Sequence, residues 1–588
     1  MRRTKILPAF LLWEVMAITF VTQFSTSLAV QPPKHKGVIT GRVVTTDGQP
    51  VSEATVMAHA IGSSEAESQN AECDDDGNFK LAGLKPGSYI ISASLPGYVC
   101  MNDTSGSEIH RIGENVTLTL GKGGVITGRV TDADGEPMEG TRVGLRMARD
   151  VYGRFSGIPD YSEDLGTTDD RGVYRIYGLP PGIYLVRVMD TLPPEYHSSS
   201  FRHGAPTYYP SANRAAAAEI TVRAGEEVTG IDIRYLGQRG HSISGVISGE
   251  VESESPLSMV NVTLRDEASG EILGSTEVIG ARNFTLYGAI DGTYELVAQR
   301  LDEESSDTAI SAPRRVTVKG SDLTGVNLKL LKPASISGRL AIESPKSGGA
   351  CGRREKFSVE EISLQIMKTG ARDHMQNNWS SEDRDEEGHL TAPNEKGQFV
   401  QKNLEEGVYR IIPDLPDDDW YLRSLTQTSK GGPGKGADIV RNGISLTPGE
   451  SLTRVEMIVG TGAARLRGRV SAANGAQAKE GSSASLYLRV HILPAEETAV
   501  EDLLRYAETV TQSDGSFELK HLAPGKYFLL AREIPEKELI ENQYSAVAWD
   551  HVERAKLRRE AQALRQEVEL RPCQQINDYA LRFAVKLK

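Results

Sequence analysis

The sequence is poor in several residue types on which classes of enzyme depend. Its 588 residues include 4 cysteines and 11 histidines, and aromatic residues make up 6% of the chain. No histidine is followed by glutamate three positions later, which excludes the usual zinc-peptidase motif. A Gly-x-Ser-x-Gly nucleophile elbow, a phosphate-binding loop and a dinucleotide-binding glycine motif are absent as well. We therefore expect a non-catalytic protein without a cofactor.

Positive charge is also in short supply. The 80 acidic residues outnumber the 66 lysines and arginines, and the net charge is -14. Nucleic acids and anionic membrane surfaces are bound by clustered lysine and arginine. We therefore expect neither as a partner, and the charge itself favours solubility.

The N-terminus has the three parts of an export signal. Residues 1–5 are basic, residues 6–24 are mostly apolar, and Ser27 and Ala29 are the small residues that a signal peptidase reads. No later apolar run is long enough to cross a bilayer. We expect cleavage after Ala29, no membrane insertion of the mature chain, and a periplasmic, cell-surface or extracellular location.

A pair of short phrases occurs five times along the chain. The first phrase reads Ile-Thr-Gly-Arg-Val at 39–43 and 126–130, and altered copies lie at 243–247, 336–340 and 466–470. The second phrase is a glycine two residues before an aromatic, followed by another glycine two residues before a tyrosine. In the first copy it comprises Gly77, Phe79, Gly87 and Tyr89, with the glycines ten positions apart (87 − 77 = 10). The same spacing elsewhere indicates an array of similar structural units.

Most segments alternate between apolar and polar residues. Residues 38–44, 89–95 and 184–188 mix apolar and polar residues in a largely alternating order over a strand-length run, as half-buried strands do. Asp-Gly and Gly-x-Pro turns separate them. The pattern predicts an all-β chain of five Ig-like antiparallel β-sandwiches. The tyrosines of the second phrase are predicted to be structural tyrosine corners rather than ligand-binding residues.

The phrases resemble a known family. Gly-Arg-Val-x-x-x-x-Gly-x-Pro at 41–50 and 128–137, then Asp-x-x-Gly-x-aromatic and Gly-Leu-x-Pro-Gly-x-Tyr, look like the carboxypeptidase regulatory-like domain. Asp291 and Glu406 replace the corner proline in the third and fourth copies. The resemblance implies transthyretin-like β-sandwiches, also grouped with carbohydrate-binding-like folds. It further implies non-catalytic modules that occur in tandem in secreted and envelope proteins of Gram-negative bacteria.

The spacing of the phrases predicts the domain boundaries. Repeats 1 to 5 are expected at 30–122, 123–237, 238–331, 332–460 and 461–588, after the signal peptide at 1–29. Residues 496–508 and 550–567 have helical patterns and are predicted to be helical insertions in the last repeat. The longer helix offers a thin apolar stripe of Val552, Ala555, Leu557 and Leu564, and we expect it to pack on its own sandwich. The charged insertion at 353–387 is predicted to be a loop.

Two kinds of residue are candidates for ligand binding. Asp74, Asp76, Asp132 and Asp134 cluster carboxylates at loops and form weak candidates for calcium, but hairpin turns in which each aspartate bonds its own backbone are the favoured explanation. Tyr208, Tyr209 and Trp379 are candidates for stacking on a sugar, and Trp420 and Trp549 could join them if all are exposed.

The cysteines leave one structural question open. Cys73 and Cys100 lie in the same repeat and could form a disulfide, while Cys351 and Cys573 lie in different repeats. The alternative is that all four remain thiols.

The favoured hypothesis is an exported, non-catalytic array that acts as a binding or spacer module of the cell envelope, with envelope proteins or polysaccharide as partners. One alternative is a carbohydrate-binding protein, for which the fold and the aromatic residues are the support. A second alternative is an accessory component of an envelope hydrolase or transport system. A cluster of histidines or carboxylates with strongly shifted pKa values would favour that alternative.

Overall fold

The structure is a computed structural model. It describes residues 37–583 apart from 63–67, 102–107, 151–165, 189–204, 239, 250–258, 268–271, 280, 302–308, 344–350, 352–357, 370–389, 417, 428–438, 473–487, 513 and 535–550. The predicted cleavage site at Ala29 and the residues Trp379 and Trp549 lie outside this described part. Within the described ranges, no helix combines the length and the apolar character needed to cross a membrane.

Repeat 1 is a sandwich of two sheets. Its strands are β1 (Gly37–Thr45), β2 (Thr55–Ala60), β3 (Ser68–Glu72), β4 (Asn78–Leu84), β5 (Ser88–Ser94), β6 (Tyr98–Cys100), β7 (Ile109–Arg111) and β8 (Asn115–Lys122). The sheet orders are β4-β1-β8-β6 and β3-β2-β5-β7.

Repeat 2 has the same two-sheet plan with short closing strands. Its strands are β9 (Gly124–Thr131), β10 (Val143–Asp150), β11 (Val173–Leu179), β12 (Gly182–Val188), β13 (Thr207–Tyr208), β14 (Ile220–Val222), β15 (Glu227–Val228) and β16 (Ile233–Arg234). A single 3-10 turn lies at Arg214–Ala216. Strands β11, β9 and β15 form one sheet and β10, β12 and β13 the other, while β14 pairs with β12 and β16 with β9.

Repeat 3 joins its strands into one continuous eight-stranded sheet. The strands are β17 (His241–Gly249), β18 (Met259–Asp266), β19 (Ile272–Ile279), β20 (Asn283–Ala289), β21 (Gly292–Leu301), β22 (Ile310–Ser311), β23 (Arg314–Val318) and β24 (Leu323–Leu331). The short β22 bridges β21 and β24, so the two layers that are separate sheets in the other repeats are connected here.

Repeat 4 consists of two separate sheets, of orders β28-β25-β32-β30 and β27-β26-β29-β31. Its elements are β25 (Ala334–Ile342), a 3-10 turn (Val359–Glu361), β26 (Ser363–Thr369), β27 (Leu390–Thr391), β28 (Gln398–Leu404), β29 (Gly407–Asp414), β30 (Trp420–Gln427), α1 (Ile439–Asn442), β31 (Ile444–Leu446) and β32 (Ser451–Thr461). The prediction that 353–387 is a loop is wrong for β26, where Ile362, Leu364 and Ile366 face the core at alternate positions.

Repeat 5 carries the only long helix of the described chain. Its elements are β33 (Ala464–Ala472), β34 (Leu488–Pro494), 3-10 turns (Glu497–Ala499 and Leu503–Arg505), β35 (Ala507–Val510), β36 (Ser516–Leu522), β37 (Gly525–Glu533), α2 (His551–Leu564), β38 (Glu567–Leu570) and β39 (Gln575–Phe583). The helix predicted at 550–567 is therefore present. The helix predicted at 496–508 is wrong, because that segment forms two tight turns and then pairs with β34 as a strand.

One pairing rule is common to all five repeats. The strand of the first phrase lies between an antiparallel neighbour that carries the aromatic of the second phrase and a parallel neighbour from the end of the repeat. The pairs are β1 with β4 and β8, β9 with β11 and β15, β17 with β20 and β24, β25 with β28 and β32, and β33 with β36 and β39. The predicted β-sandwich array is confirmed, with one parallel pair in each otherwise antiparallel repeat except repeat 2, where both β15 and β16 run parallel to β9. The rest of the repeat supplies the long connection that a parallel pair needs.

Each repeat has its own apolar core. The aromatic and the tyrosine of the second phrase belong to that core in every case. The cores lie between the layers of strands, so the alternation read from the sequence corresponds to inward and outward side chains.

Candidate functional site

The five tyrosines of the second phrase hold the backbone at the turn before them. Each hydroxyl donates a hydrogen bond to the carbonyl oxygen four residues earlier. The pairs are Tyr89 to Lys85 (2.6 Å), Tyr184 to Pro180 (2.6 Å), Tyr294 to Ile290 (2.7 Å), Tyr409 to Glu405 (3.0 Å) and Tyr527 to Ala523 (2.6 Å). Burial raises the pKa of Tyr294 to about 12. These hydroxyls therefore act as fixed donors within the fold.

The loop aspartates considered for calcium organise turns. Asp74 Oδ1 accepts the backbone N–H groups of Asp76 (3.0 Å) and Asn78 (2.8 Å), and these bonds lower the pKa of Asp74. Asp132 Oδ1 accepts those of Asp134 and Glu136, both at 2.9 Å. In the described ranges, no three His, Cys, Asp or Glu side chains converge as metal ligands would. The geometry is that of hairpin turns closed by a side chain.

The aromatic candidates do not form an exposed platform where the structure describes them. Tyr208 is 3% exposed, and Tyr209 is half-buried against the core of repeat 2. Trp420 is also buried, at 8% exposed. A sugar can stack only on an accessible ring face, so Tyr208 and Trp420 lose their support as carbohydrate-binding residues.

The cysteines pair differently from the pairing considered in repeat 1. Cys351 and Cys573 form a disulfide, with Cα atoms 5.3 Å apart, and Cys73 and Cys100 remain thiols. The sheet orders explain the correction. Cys73 follows edge strand β3, which contacts edge strand β4, while Cys100 ends β6 at the opposite edge of the sandwich. The two thiols are thus separated by the width of repeat 1.

The disulfide is part of a junction between repeats 4 and 5. Arg465 and Lys520 of repeat 5 form ion pairs with Asp418 of repeat 4, at 3.1 Å and 3.5 Å. His521 Nδ1 lies 2.9 Å from the carbonyl oxygen of Trp420. One covalent bond and several polar contacts therefore fix the two sandwiches to each other. Sequence reasoning missed this junction because its residues lie outside the two phrases.

A polar cluster lies behind this junction in repeat 5. The Tyr506 hydroxyl donates to Glu508 Oε2 (2.6 Å), and His491 Nδ1 lies 2.8 Å from the same hydroxyl. Arg489 pairs with Glu508 at 2.8 Å. Burial would raise the pKa of Glu508, but hydrogen bonds from His491 and Tyr506 outweigh it and lower that pKa. Burial raises the pKa of Tyr506.

These shifts bear on the hydrolase alternative. A general acid or base works best when its pKa is near the operating pH. Both shifts move the pKa values further from pH 7, and the side chain of His491 is only 3% exposed. The cluster is therefore a satisfied internal network of the kind that fixes a unique packing, and it does not favour a hydrolase.

A second junction joins repeats that are far apart in the sequence. The Ser88 hydroxyl donates to the carbonyl oxygen of Glu361 (2.8 Å), and Arg111 Nε donates to the same oxygen (3.0 Å). Arg111 also forms an ion pair with Asp414. Ser88 is fully buried and Arg111 is 8% exposed, so these contacts lie inside an interface between repeats 1 and 4. No sequence signal pointed to this interface, because its residues are ordinary polar residues at strand ends.

Comparison with known proteins gives one family and a set of structures. Residues 38–120 match the model of the carboxypeptidase regulatory-like domain. No curated protein matches the chain.

The similar solved structures are multidomain bacterial proteins. They include the TIE protein of Bacillus anthracis (16% identity, 50% of this chain and 51% of that chain, TM-score 0.13) and the minor pilin GBS52 of Streptococcus agalactiae (16%, 37% and 100%, 0.20). Two B repeat units of the collagen-binding protein of Staphylococcus aureus also match, with 11% identity, coverage of 73% of this chain and 100% of that chain, and a TM-score of 0.13. This chain thus spans about half the length of the TIE chain. Such low identities and TM-scores give no information on what this chain binds.

The chain is therefore an array of β-sandwich repeats, of which the first is similar to the carboxypeptidase regulatory-like domain and the other four share its two phrases, its tyrosine corner and its pairing rule.

Proposed function

We propose that the chain is an exported, non-catalytic protein of the cell envelope that serves as a compact scaffold for binding or structural support. The observation that carries the proposal is the double attachment of repeat 4. It is linked covalently to repeat 5 through Cys351 and Cys573, and it contacts repeat 1 through Ser88 and Arg111.

Export is supported by the disulfide as well as by the N-terminal sequence. Disulfides persist in oxidising compartments and are rare in the reducing cytosol. The bond between Cys351 and Cys573 closes a sequence separation of 222 residues. A crosslink of that length removes much conformational freedom from the unfolded chain, by about 5 kcal/mol in the chain-entropy treatment.

A non-catalytic role is supported by how the polar residues of the repeats are used. The corner tyrosines, the turn aspartates and the His491–Tyr506–Glu508 network all satisfy hydrogen bonds within the fold. Partners would be envelope proteins or polysaccharide, bound on the outer faces of the sandwiches.

The interface between repeats 1 and 4 also defines the kind of scaffold. A linear spacer would keep these repeats apart, whereas this chain folds back so that they touch. Small-angle scattering of the chain from Val30 onward tests this arrangement. We expect a compact particle, and a larger radius of gyration for Arg111→Ala, because that change removes both the bond to Glu361 and the ion pair with Asp414.

The matched control is Arg315→Ala. Arg315 pairs with Glu267 at 2.8 Å within repeat 3, and its side chain is 68% exposed, so its loss should leave the scattering unchanged. An extended particle for the wild-type chain, insensitive to Arg111, would contradict the compact scaffold.

A further inference from the structure

A cavity of about 260 Å³ that is partly open to solvent lies at the junction of repeats 4 and 5. Repeat 4 contributes apolar walls from β29, β30 and α1, including Ile411, Leu425 and Ile439. Repeat 5 contributes Leu503, Leu504 and the end of β36. Clefts between domains are preferred places for small-molecule sites, since their walls come from two separately folded bodies. The disulfide and the ion pairs of Asp418 hold these two bodies together.

One residue of the cavity departs from the rule of its own repeat family. The residue four positions after the aromatic of the second phrase has a left-handed backbone in every repeat. It is Gly83 (φ 84°), Gly178 (φ 74°), Gly288 (φ 79°), Asn403 (φ 58°) and His521 (φ 55°). Glycine adopts this conformation without cost, and asparagine and histidine adopt it more readily than most other residues. Histidine still differs from the residue of the other four repeats, so its contacts indicate whether the side chain has a role.

The contacts of His521 indicate the role of its side chain. A carbonyl oxygen can only accept, so the bond to Trp420 places the imidazole proton on Nδ1. That bond fixes the ring between the two repeats. The ring lines the cavity, and Nε2 is the nitrogen left to interact with a ligand, as a donor when the ring is protonated.

The charged residues that line the cavity are cationic. Arg410, Arg505 and Lys520 accompany His521, and no aspartate or glutamate is among the described residues that line the cavity. The Nε atom of Arg410 is buried, and burial, followed by the charge of Arg554, lowers the pKa of this guanidinium. The Nη2 atom of Arg505 is buried without a hydrogen-bond acceptor among the described residues. Arg505 pairs with Glu496 through Nη1, and Lys520 pairs with Asp418 at 3.5 Å, so an anion would satisfy the remaining Nη2 donor of Arg505.

We propose that this cavity binds a medium-chain monocarboxylate. The carboxylate would lie near His521, Arg505 and Arg410, and the hydrocarbon chain would lie along the leucine and isoleucine walls. A volume of 260 Å³ corresponds to about nine groups the size of a water molecule. Octanoate, with roughly that number of non-hydrogen atoms, is therefore the probe of choice. The site does not depend on where the protein resides, so it stands apart from the proposed scaffold function.

Calorimetric titration of octanoate into the full chain with its disulfide intact tests the site. We expect saturable binding, about 15-fold weaker binding of hexanoate because two methylenes are lost, and much weaker binding of 1-octanol because it lacks the charge. His521→Gly should weaken octanoate binding by roughly 10- to 100-fold, the usual effect of losing one hydrogen bond to a charged group. Glycine suits the backbone at this position, so the variant should fold.

The control variant is Asn403→Gly, which makes the same change at the equivalent position of repeat 4, where the side chain does not line the cavity. It should bind octanoate like the wild type. Leu504→Trp, which fills the apolar part from a half-buried wall, should abolish binding while the disulfide still forms. Three results would each overturn the proposal: no binding of octanoate to the wild-type chain, equal affinity for octanoate and 1-octanol, or unchanged affinity in both His521→Gly and Leu504→Trp.

Discussion

The glycine of the first phrase and the aromatic of the second form one packing unit. Gly41 pairs with Phe79 across β1 and β4, and the other repeats pair Gly128 with Tyr174, Gly245 with Phe284, Gly338 with Phe399 and Gly468 with Phe517. In each case a Cβ on the glycine would overlap a carbonyl oxygen of the segment that runs beside it at the end of the repeat, which in repeat 2 is Ile231 between β15 and β16, and it would also meet the aromatic side chain. The glycine therefore lets three strands approach closely over an aromatic ring.

Gly41→Ala should destabilise repeat 1 by about 3 kcal/mol or more, because the added methyl must displace backbone. Hydrogen exchange, read on peptides from β1, β4 and β8, would show faster exchange in repeat 1. Gly87→Ala is the matched control, since the nearest atom to its Cβ would be 3.9 Å away and its φ is ordinary. Equal exchange in the two variants would contradict the packing unit.

At the scale of elements, helix α2 shows what the sequence could and could not predict. Its extent and its packing on its own sandwich follow from the pattern, but of the predicted stripe only Leu557 is buried, and Val552, Ala555 and Leu564 are exposed. Val552 and Leu564 are 58% and 39% exposed, whereas Arg554, Leu557 and Ala561 are buried. The long stem of arginine can cover apolar surface, so a count of apolar residues alone misplaces the buried face.

Leu557→Ala should cost about 2–5 kcal/mol of stability in repeat 5, because Leu557 is fully buried against Leu493, Phe528 and Leu530. Val552→Ala, on the opposite face, should change stability by less than about 0.5 kcal/mol. Calorimetric unfolding of the two variants checks the difference. A large effect at Val552 with little at Leu557 would mean that the helix packs on its other face.

Several other features could not be predicted from the sequence, for physical reasons. Strand β26 has an alternation of only a few residues within a charged segment, which is too short a signal to separate from a loop. The junctions join residues from 47 to 303 positions apart, through scattered polar contacts and one disulfide, and no periodicity marks them. His521 could have been noticed, since aligning the five repeats on their second phrases places it opposite three glycines and one asparagine.

At the scale of the whole molecule, the junction of repeats 1 and 4 should respond to pH. Burial raises the pKa of Glu361 to about 7, against the opposing charge of Arg111. Glu360, Glu114 and the Arg111–Asp414 pair are the other charged groups that face it. A carboxyl with a raised pKa favours the closed junction when it is protonated. The contact should therefore be tightest at acid pH, weaken as the pH rises from about 4.5 to 7, and change little above that.

Scattering between pH 5 and pH 8 checks this prediction. The radius of gyration should increase with pH in the wild-type chain and stay constant in Glu361→Gln, which cannot ionise. A pH response that is the same in both proteins would show that another group controls the junction.

The most direct test of the account is peptide mapping of the natural protein by mass spectrometry, after alkylation without reduction. The account predicts an N-terminus at Val30, a peptide that joins Cys351 to Cys573, and alkylated thiols at Cys73 and Cys100. Together these would establish export and the covalent link between repeats 4 and 5. A chain that retains residues 1–29 and carries four alkylated cysteines would contradict the exported, cross-linked scaffold.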